Sequence, residues 1–211
     1  MKQIFLYGSS GHAKVIIDII EGAGLFRIVG LIDDDPALAG VSLMGYPILG
    51  PGSRLSELVS FDMDVIVSIG HNATRRAIAE RLTAVGYRLA TAVHVRATVS
   101  RDVEIGPGSV VMAGAIINAG SRLGPLTILN TGAQIDHDCH IGTACHMAPA
   151  SCLCGTVRIG DETFIGAGSV VIQNRTIGDR VVVGAGATVV NDFPSDVTVV
   201  GTPARPLAKR P

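Results

Sequence analysis

From Val93 to Val189 every sixth residue is aliphatic or methionine: Val93, Val99, Ile105, Val111, Ile117, Leu123, Leu129, Ile135, Ile141, Met147, Leu153, Ile159, Ile165, Val171, Ile177, Val183 and Val189. These seventeen positions hold the register without one insertion. Two residues before most of them the side chain is small, as at Ala97, Ser109, Ala115, Ser121, Thr127, Ala133, Cys139, Cys145, Ser151, Thr163, Ser169 and Ala187. Glycine often comes directly after, as at Gly106, Gly124, Gly142, Gly160, Gly166, Gly178 and Gly184. A period of six is neither helical nor strand-like. It is the hexapeptide register of a parallel β-helix, in which each short strand lays one aliphatic side chain into a narrow prism.

Residues 1–90 have another texture. Apolar runs at Ile4–Tyr7, Ile28–Ile32 and Val65–Ile69 read as strands, and Ala13–Gly22 and Thr74–Val85 read as helices, with Val15, Ile16, Ile19, Ile20, Ile78, Ala79, Leu82 and Val85 as apolar positions. Gly45–Gly50 reads as a turn-rich connector. Strands alternating with helices predict a small parallel sheet. Ligands bind such sheets beyond the carboxyl ends of the strands. Three polar loops fall there: Gly8, Ser9, Ser10, Gly11 and His12; Asp33 and Asp34; and Gly70, His71 and Asn72. The glycine loop before a helix suits a diphosphate, and an acid after the second strand suits ribose hydroxyls. The loop lacks a full GxGxxG pattern, and a plain βα turn beside a solvated acidic loop is the bland alternative.

The chain has 211 residues, of which 47% are hydrophobic, 17% charged and 4% aromatic, with formal net charge −1. An aliphatic core is expected, and no basic face invites nucleic acid. Neither a signal peptide nor a run long enough for membrane insertion is legible, so the expectation is cytoplasmic. The four cysteines lie between Cys139 and Cys154. Cys139 and Cys145 hold small repeat positions and are expected to pack as hydrophobes rather than bind metal.

The chemistry gathers at Ile135-Asp136-His137-Asp138-Cys139-His140. His137 lies two residues past an anchor, near a corner of the prism, and is expected to project outward. A histidine flanked by carboxylates can be held in one tautomer with the other nitrogen free for a proton. Asp136 and Asp138 both qualify as the orienting acid. A zinc site on His137, His140 and His146 is a rival reading, as is a plain surface histidine.

Taken with YGSSGH at 7–12, LIDDD at 31–35, SIGHN at 68–72, NTGAQIDHDCHIG at 130–142 and GTPAR at 201–205, the chain resembles the sugar O- and N-acyltransferases of the sialic acid acetyltransferase and bacillosamine-pathway type. The resemblance implies an α/β Rossmann-like nucleotide-sugar domain (1–90), then an all-β left-handed parallel β-helix (91–190), and a tail (191–211) contributing to the coenzyme A site. Three hexapeptides then make one coil of eighteen residues. On that count Gly155 stacks beyond His137, and the Gly166–Gly168 and Gly184–Gly186 corners stack to leave a groove for a long thin ligand. The resemblance implies His137 as general base and Asp138 as its partner. It implies His146, Gly155, Ala167, Ala185, Gly201, Thr202 and Pro203 at the acetyl-CoA site, and the three N-terminal loops on a nucleotide-linked amino sugar. No metal is required, and a sugar hydroxyl is the alternative acceptor. A homotrimer is expected, because the corner site is open on one prism and because Val110, Ile116 and Ile128 on its flat sides need cover.

Overall fold

The computed structural model describes residues 1–207, so the last four residues of the expected tail lie outside the described residues. The chain forms two compact units, Met1–Val95 and Arg96–Pro211. Among the described residues no helix is long and apolar enough to cross a membrane.

In the first unit, β1 (Lys2–Tyr7), β2 (Phe26–Ile32), β3 (Ser42–Leu43), β4 (Tyr46–Gly50), β5 (Asp64–Val67) and β6 (Arg88–Leu89) form one sheet in the order β3-β4-β2-β1-β5-β6. All neighbours run parallel except the β3–β4 hairpin. Helices α1 (Gly11–Ala23), α2 (Leu55–Leu58) and α3 (Asn72–Ala84) complete it. The stretch expected to be a connector is thus strand β4. Gly45 does turn the chain, at φ 85°, but Tyr46–Gly50 then runs extended beside β2. Gly30 makes room for it: a Cβ there would lie 2.8 Å from both the Leu49 side chain and the Pro47 carbonyl. Val15 and Val85, expected in the core, are exposed, whereas Ile17 is buried beside Ile16. The helical period holds, but the buried faces sit slightly rotated from the expected ones.

In the second unit, two-residue strands pair in parallel with the strand eighteen residues on, as in Ile116↔Gln134, Gln134↔Cys152 and Cys152↔Val170. Three such sheets make the left-handed, three-sided prism. The inward anchors from Val111 to Val189 are buried, each by itself a contribution of about 1.5–3 kcal/mol. Val93, Val99 and Ile105, at the start of the register, are half-buried. The small repeat positions also have a polar duty. Thr127 Oγ1, Thr163 Oγ1, Cys139 Sγ and Cys145 Sγ each donate to a carbonyl fifteen residues on. Cys139 and Cys145 are therefore buried structural thiols, as their register suggests. The corners are cut by left-handed residues in three stacked columns, one of which is Gly120, Asp138, Thr156 and Asn174. Residues beyond 190 add to the same prism: Thr198–Val200 pairs in parallel with Val182–Val183, and Arg205–Pro206 folds back on it. Val110 and Ile128, expected to need a partner's cover, are each only 1% exposed within the chain, and Ile116 is half-buried. Val110 and Ile128 therefore need no partner chain to cover them.

Candidate active site

The turn Asp136–Cys139 is pinned from the coil beneath. Ser121 Oγ donates to the Asp136 carbonyl at 2.7 Å and accepts from Cys139 N at 3.1 Å, while Asp138 N donates to Ala119 O at 2.9 Å. Asp138 takes φ 60°, a region that suits aspartate better than bulkier residues. Its carboxylate lies above Gly120, where a Cβ would sit 2.5 Å from Oδ1.

His137 is exposed, and its Nδ1 lies 2.9 Å from Asp138 Oδ2. A carboxylate can only accept, so Nδ1 carries the proton and Nε2 keeps its lone pair. Asp136 takes a different role: its Oδ1 accepts from the main-chain N–H of His137 at 2.9 Å and from Asn118 Nδ2 at 3.0 Å. Of the two acids left open by the sequence, Asp138 is the one bonded to the ring. The hydrogen bond to Asp138, followed by the charge of Asp136, raises the His137 pKa above its ordinary 6.5. The ring lies over Gly155, where a Cβ would be 2.6 Å from both Cε1 and Nε2. Any side chain at this position would collide with the imidazole.

The other expected coenzyme residues form a separate column. Gly186 N donates to Ala167 O, Thr202 Oγ1 donates to Gly186 O at 3.4 Å, and Thr188 N donates to Gly201 O. Ala167, Ala185, Gly201, Thr202 and Pro203 are all exposed along this corner. The main-chain N–H groups of Ala167 and Ala185 donate to nothing among the described residues. Gly155 and Ala167 are twelve residues apart, two-thirds of a coil, so this column stands on a different corner from His137. His146 is apart as well. It sits in the Ile128–His146–Phe164 ladder, edge-on to Phe164 at 5.2 Å. Asn130 Oδ1 accepts from Thr131 N, which turns its amide nitrogen toward His146 Nε2 at 3.0 Å. Nε2 of His146 is then the acceptor and Nδ1 carries the proton. Among the described residues of one copy, no three His, Cys, Asp or Glu side chains are grouped so that they could hold a metal ion.

In the N-terminal unit the three loops do meet at the carboxyl ends of adjacent strands β2, β1 and β5. Gly8, at φ 108°, passes close to β5, and a Cβ would lie 2.9 Å from Ile69. Ser10 is the N-cap of α1 without using its side chain, and the N–H groups of Ser10 and Gly11 donate to nothing among the described residues. Asp33 Oδ2 accepts from both N and Oγ of Ser9, at 2.8 and 2.6 Å. Asp34 accepts from Tyr7 Oη at 2.7 Å and from Gly52 N at 2.8 Å, and the Arg81 guanidinium also bonds Tyr7 Oη. Burial, then the bond to Asp34, pushes the Tyr7 pKa up to about 12. His71 caps α3 through Nδ1, and Asn72 accepts from Arg75. Arg75 carries no signal in the sequence. It is wholly buried and donates to the Ile69 and Gly70 carbonyls, bracing that loop from within.

Residues 3–82 match the PglD N-terminal domain, and residues 156–191 match the bacterial transferase hexapeptide, six repeats. A solved structure of PerB from Caulobacter crescentus, in complex with CoA and GDP-perosamine, is 39% identical. It covers 99% of this chain and 98% of that one, with a TM-score of 0.92. The chain belongs to this family of hexapeptide-repeat sugar acyltransferases. The acetyltransferase domain of PglB from Neisseria gonorrhoeae is 38% identical, covering 98% of this chain and 100% of that one, with a TM-score of 0.92. The UDP-N-acetylbacillosamine N-acetyltransferase of Bacillus subtilis (strain 168) is 36% identical over 115 residues, 54% of this chain and 52% of that protein. The match thus spans about half the length of that curated relative.

Proposed function

We propose that this chain transfers an acetyl group from acetyl-CoA to the amino group of a nucleotide-linked amino sugar. The observation that carries the reading is His137. Its Nδ1 is committed to Asp138, its Nε2 is uncommitted, and it stands exposed on a corner with no core duty. Relatives similar along nearly the whole chain bind CoA with GDP-perosamine, or acetyl-CoA.

His137 Nε2 takes the proton that the sugar amine loses as its nitrogen bonds to the thioester carbonyl carbon. A main-chain N–H near the carbonyl oxygen, for which Gly155 is proposed, stabilises the oxyanion. The imidazolium then returns the proton to the departing thiolate, so atoms and charge balance with no acyl-enzyme. In the N-terminal unit the open amides of Ser10 and Gly11 at the start of α1 suit a diphosphate. Asp33 and Asp34 shape the loops on either side of it. The exposed, side-chain-poor column at Ala167, Ala185 and Gly201–Pro203 suits the amide-bearing arm of coenzyme A.

The assembly is proposed from the same layout. His137 and that column occupy different corners of one prism, so they serve one site only where two copies meet. A closed ring of three is the proposed form. The proposed setting is the cytoplasm, where the four free cysteines stay reduced.

The test is turnover of acetyl-CoA, monitored as thiol release, with a panel of UDP- and GDP-linked amino sugars and their hydroxyl counterparts. Thiol release dependent on an amino sugar is expected. Release with the hydroxyl sugars alone would make the chain an O-acetyltransferase, and no release with any acceptor would reject the reading.

A further inference from the structure

The two carboxylates beside His137 are not equivalent, and the coil below makes them so. Asn118 lies directly beneath Asp136, because Ile117 pairs with Ile135. Its amide nitrogen and the His137 main-chain N–H converge on the same carboxylate oxygen, Oδ1, at 3.0 and 2.9 Å. Asp136 is thereby tied to the backbone of the histidine and Asp138 to its ring.

We propose that Asn118 and Asp136 are a positioning pair for His137: Asn118 anchors the Asp136 carboxylate to the histidine's main chain, which reserves the ring for Asp138 and fixes a negative charge beside it. The proposal rests on the reading of His137 as the general base. Without Asn118, two aspartates within three residues are free to compete for one imidazole Nδ1. Two acids crowded into one turn would also repel each other, and a donor on one of them eases this. The Asn118 bond, ahead of the His137 N–H, holds the Asp136 carboxyl below its ordinary range. Asp136 therefore stays ionised while His137 titrates.

Few other groups can tune the ring. The coil beneath presents Asn118, Ala119 and Gly120, none of them ionisable, and the coil above presents Cys154 and Gly155. Cys154 is a thiol, and the charges acting on His137 are those of Asp138 and Asp136. A fixed negative charge favours imidazolium and raises its pKa. The base works unprotonated, so the rising limb of kcat/KM is displaced to higher pH, and removing the charge must bring it down.

The test combines NMR titration of the His137 imidazole, assigned with His137→Gln, with the pH profile of kcat/KM. Asp136→Asn keeps the shape and the acceptor and deletes the charge. His137 titration and the kinetic limb should both move to lower pH. Asn118→Leu keeps the shape and deletes the donor. The carboxyl titration of Asp136 should move up and kcat should fall about tenfold with little change in either KM, since reacting groups are misplaced rather than lost. Asn118→Gln, which restores a donor, should recover part of that loss. A mere rung of the solenoid would lower the melting temperature in Asn118→Leu while both titrations stayed put and kcat stayed at wild type, and that result overturns the proposal. Should Asn118→Leu fail to fold, Asp136→Asn and Asn118→Gln carry the same readouts. If the wild-type protein turned over no acetyl-CoA, the proposed function would fall, yet the titrations would still decide whether this pair tunes the ring.

Discussion

In the N-terminal unit Asp33, Asp34 and His71 at the strand ends are committed to the chain itself. Asp33 holds Ser9, Asp34 holds Tyr7 and Gly52, and His71 caps α3. In the β-helix unit His137 makes one side-chain bond, to a neighbour that is itself exposed, and its other nitrogen is open. The same residue types therefore do opposite work. Irregular loops at a sheet edge need side chains to hold their backbone, so what they offer a ligand is the backbone N–H groups of Ser10 and Gly11. A prism holds its corners by main-chain bonds from coil to coil and by small inward side chains such as Ser121, so an outward corner side chain such as His137 is released for chemistry.

That contrast predicts where substitutions act. His137→Ala has the largest expected effect: kcat falls about 10²–10⁴-fold while fold and assembly persist, because the proposed general base is lost and no core residue is. Steady-state kinetics beside a melting curve check it. Gly155→Val comes next. A Cβ at 2.6 Å from the ring must push His137 off its seat, and a shift near 1 Å costs on the order of 10²-fold. Near wild-type kcat in that variant would show that the ring's seat on Gly155 is not the working position. Asp33→Ala should act on binding instead. Freeing Ser9 loosens the loop proposed to hold the diphosphate, and KM for the nucleotide sugar should rise about tenfold with a smaller change in kcat. An intact KM with abolished kcat would erase the distinction between the units. The smallest effect is on pH. The raised pKa of His137 places the rising limb of kcat/KM above 6.5, and Asp138→Asn, by removing the stronger influence on the ring, should bring it down.

The prism was legible because its register is a fixed count. One hydrophobic period located every anchor, buried Cys139 and Cys145, and brought His137 to a corner above which Gly155 stacks. The same counting, run downward from Asp136, would have found Asn118. The count also separates corners, since Ala167 lies twelve residues, two-thirds of a coil, past Gly155; what it did not convey is the bond that ties Asp138 rather than Asp136 to the ring. In the N-terminal unit local signals misled. Gly45 and Pro47 resemble a turn, yet Gly30 on the neighbouring strand allows Tyr46–Gly50 to pair. Arg75 carries no signal, because its burial depends on carbonyls whose direction no sequence pattern encodes. Val110 and Ile128 face outward by register, and their cover comes from tertiary packing.

The central claim is that His137 of one copy works with the Ala185 corner of another. The direct measurement is complementation. His137→Ala and Ala185→Trp are each expected to be nearly inactive, the first without a base and the second with a blocked corner. Co-expressed and randomly mixed, they should regain about a quarter of wild-type activity, because each mixed ring of three carries one intact site. A mixture as inactive as its parents, with mixed assemblies shown to form, would contradict the account and confine the site to a single copy.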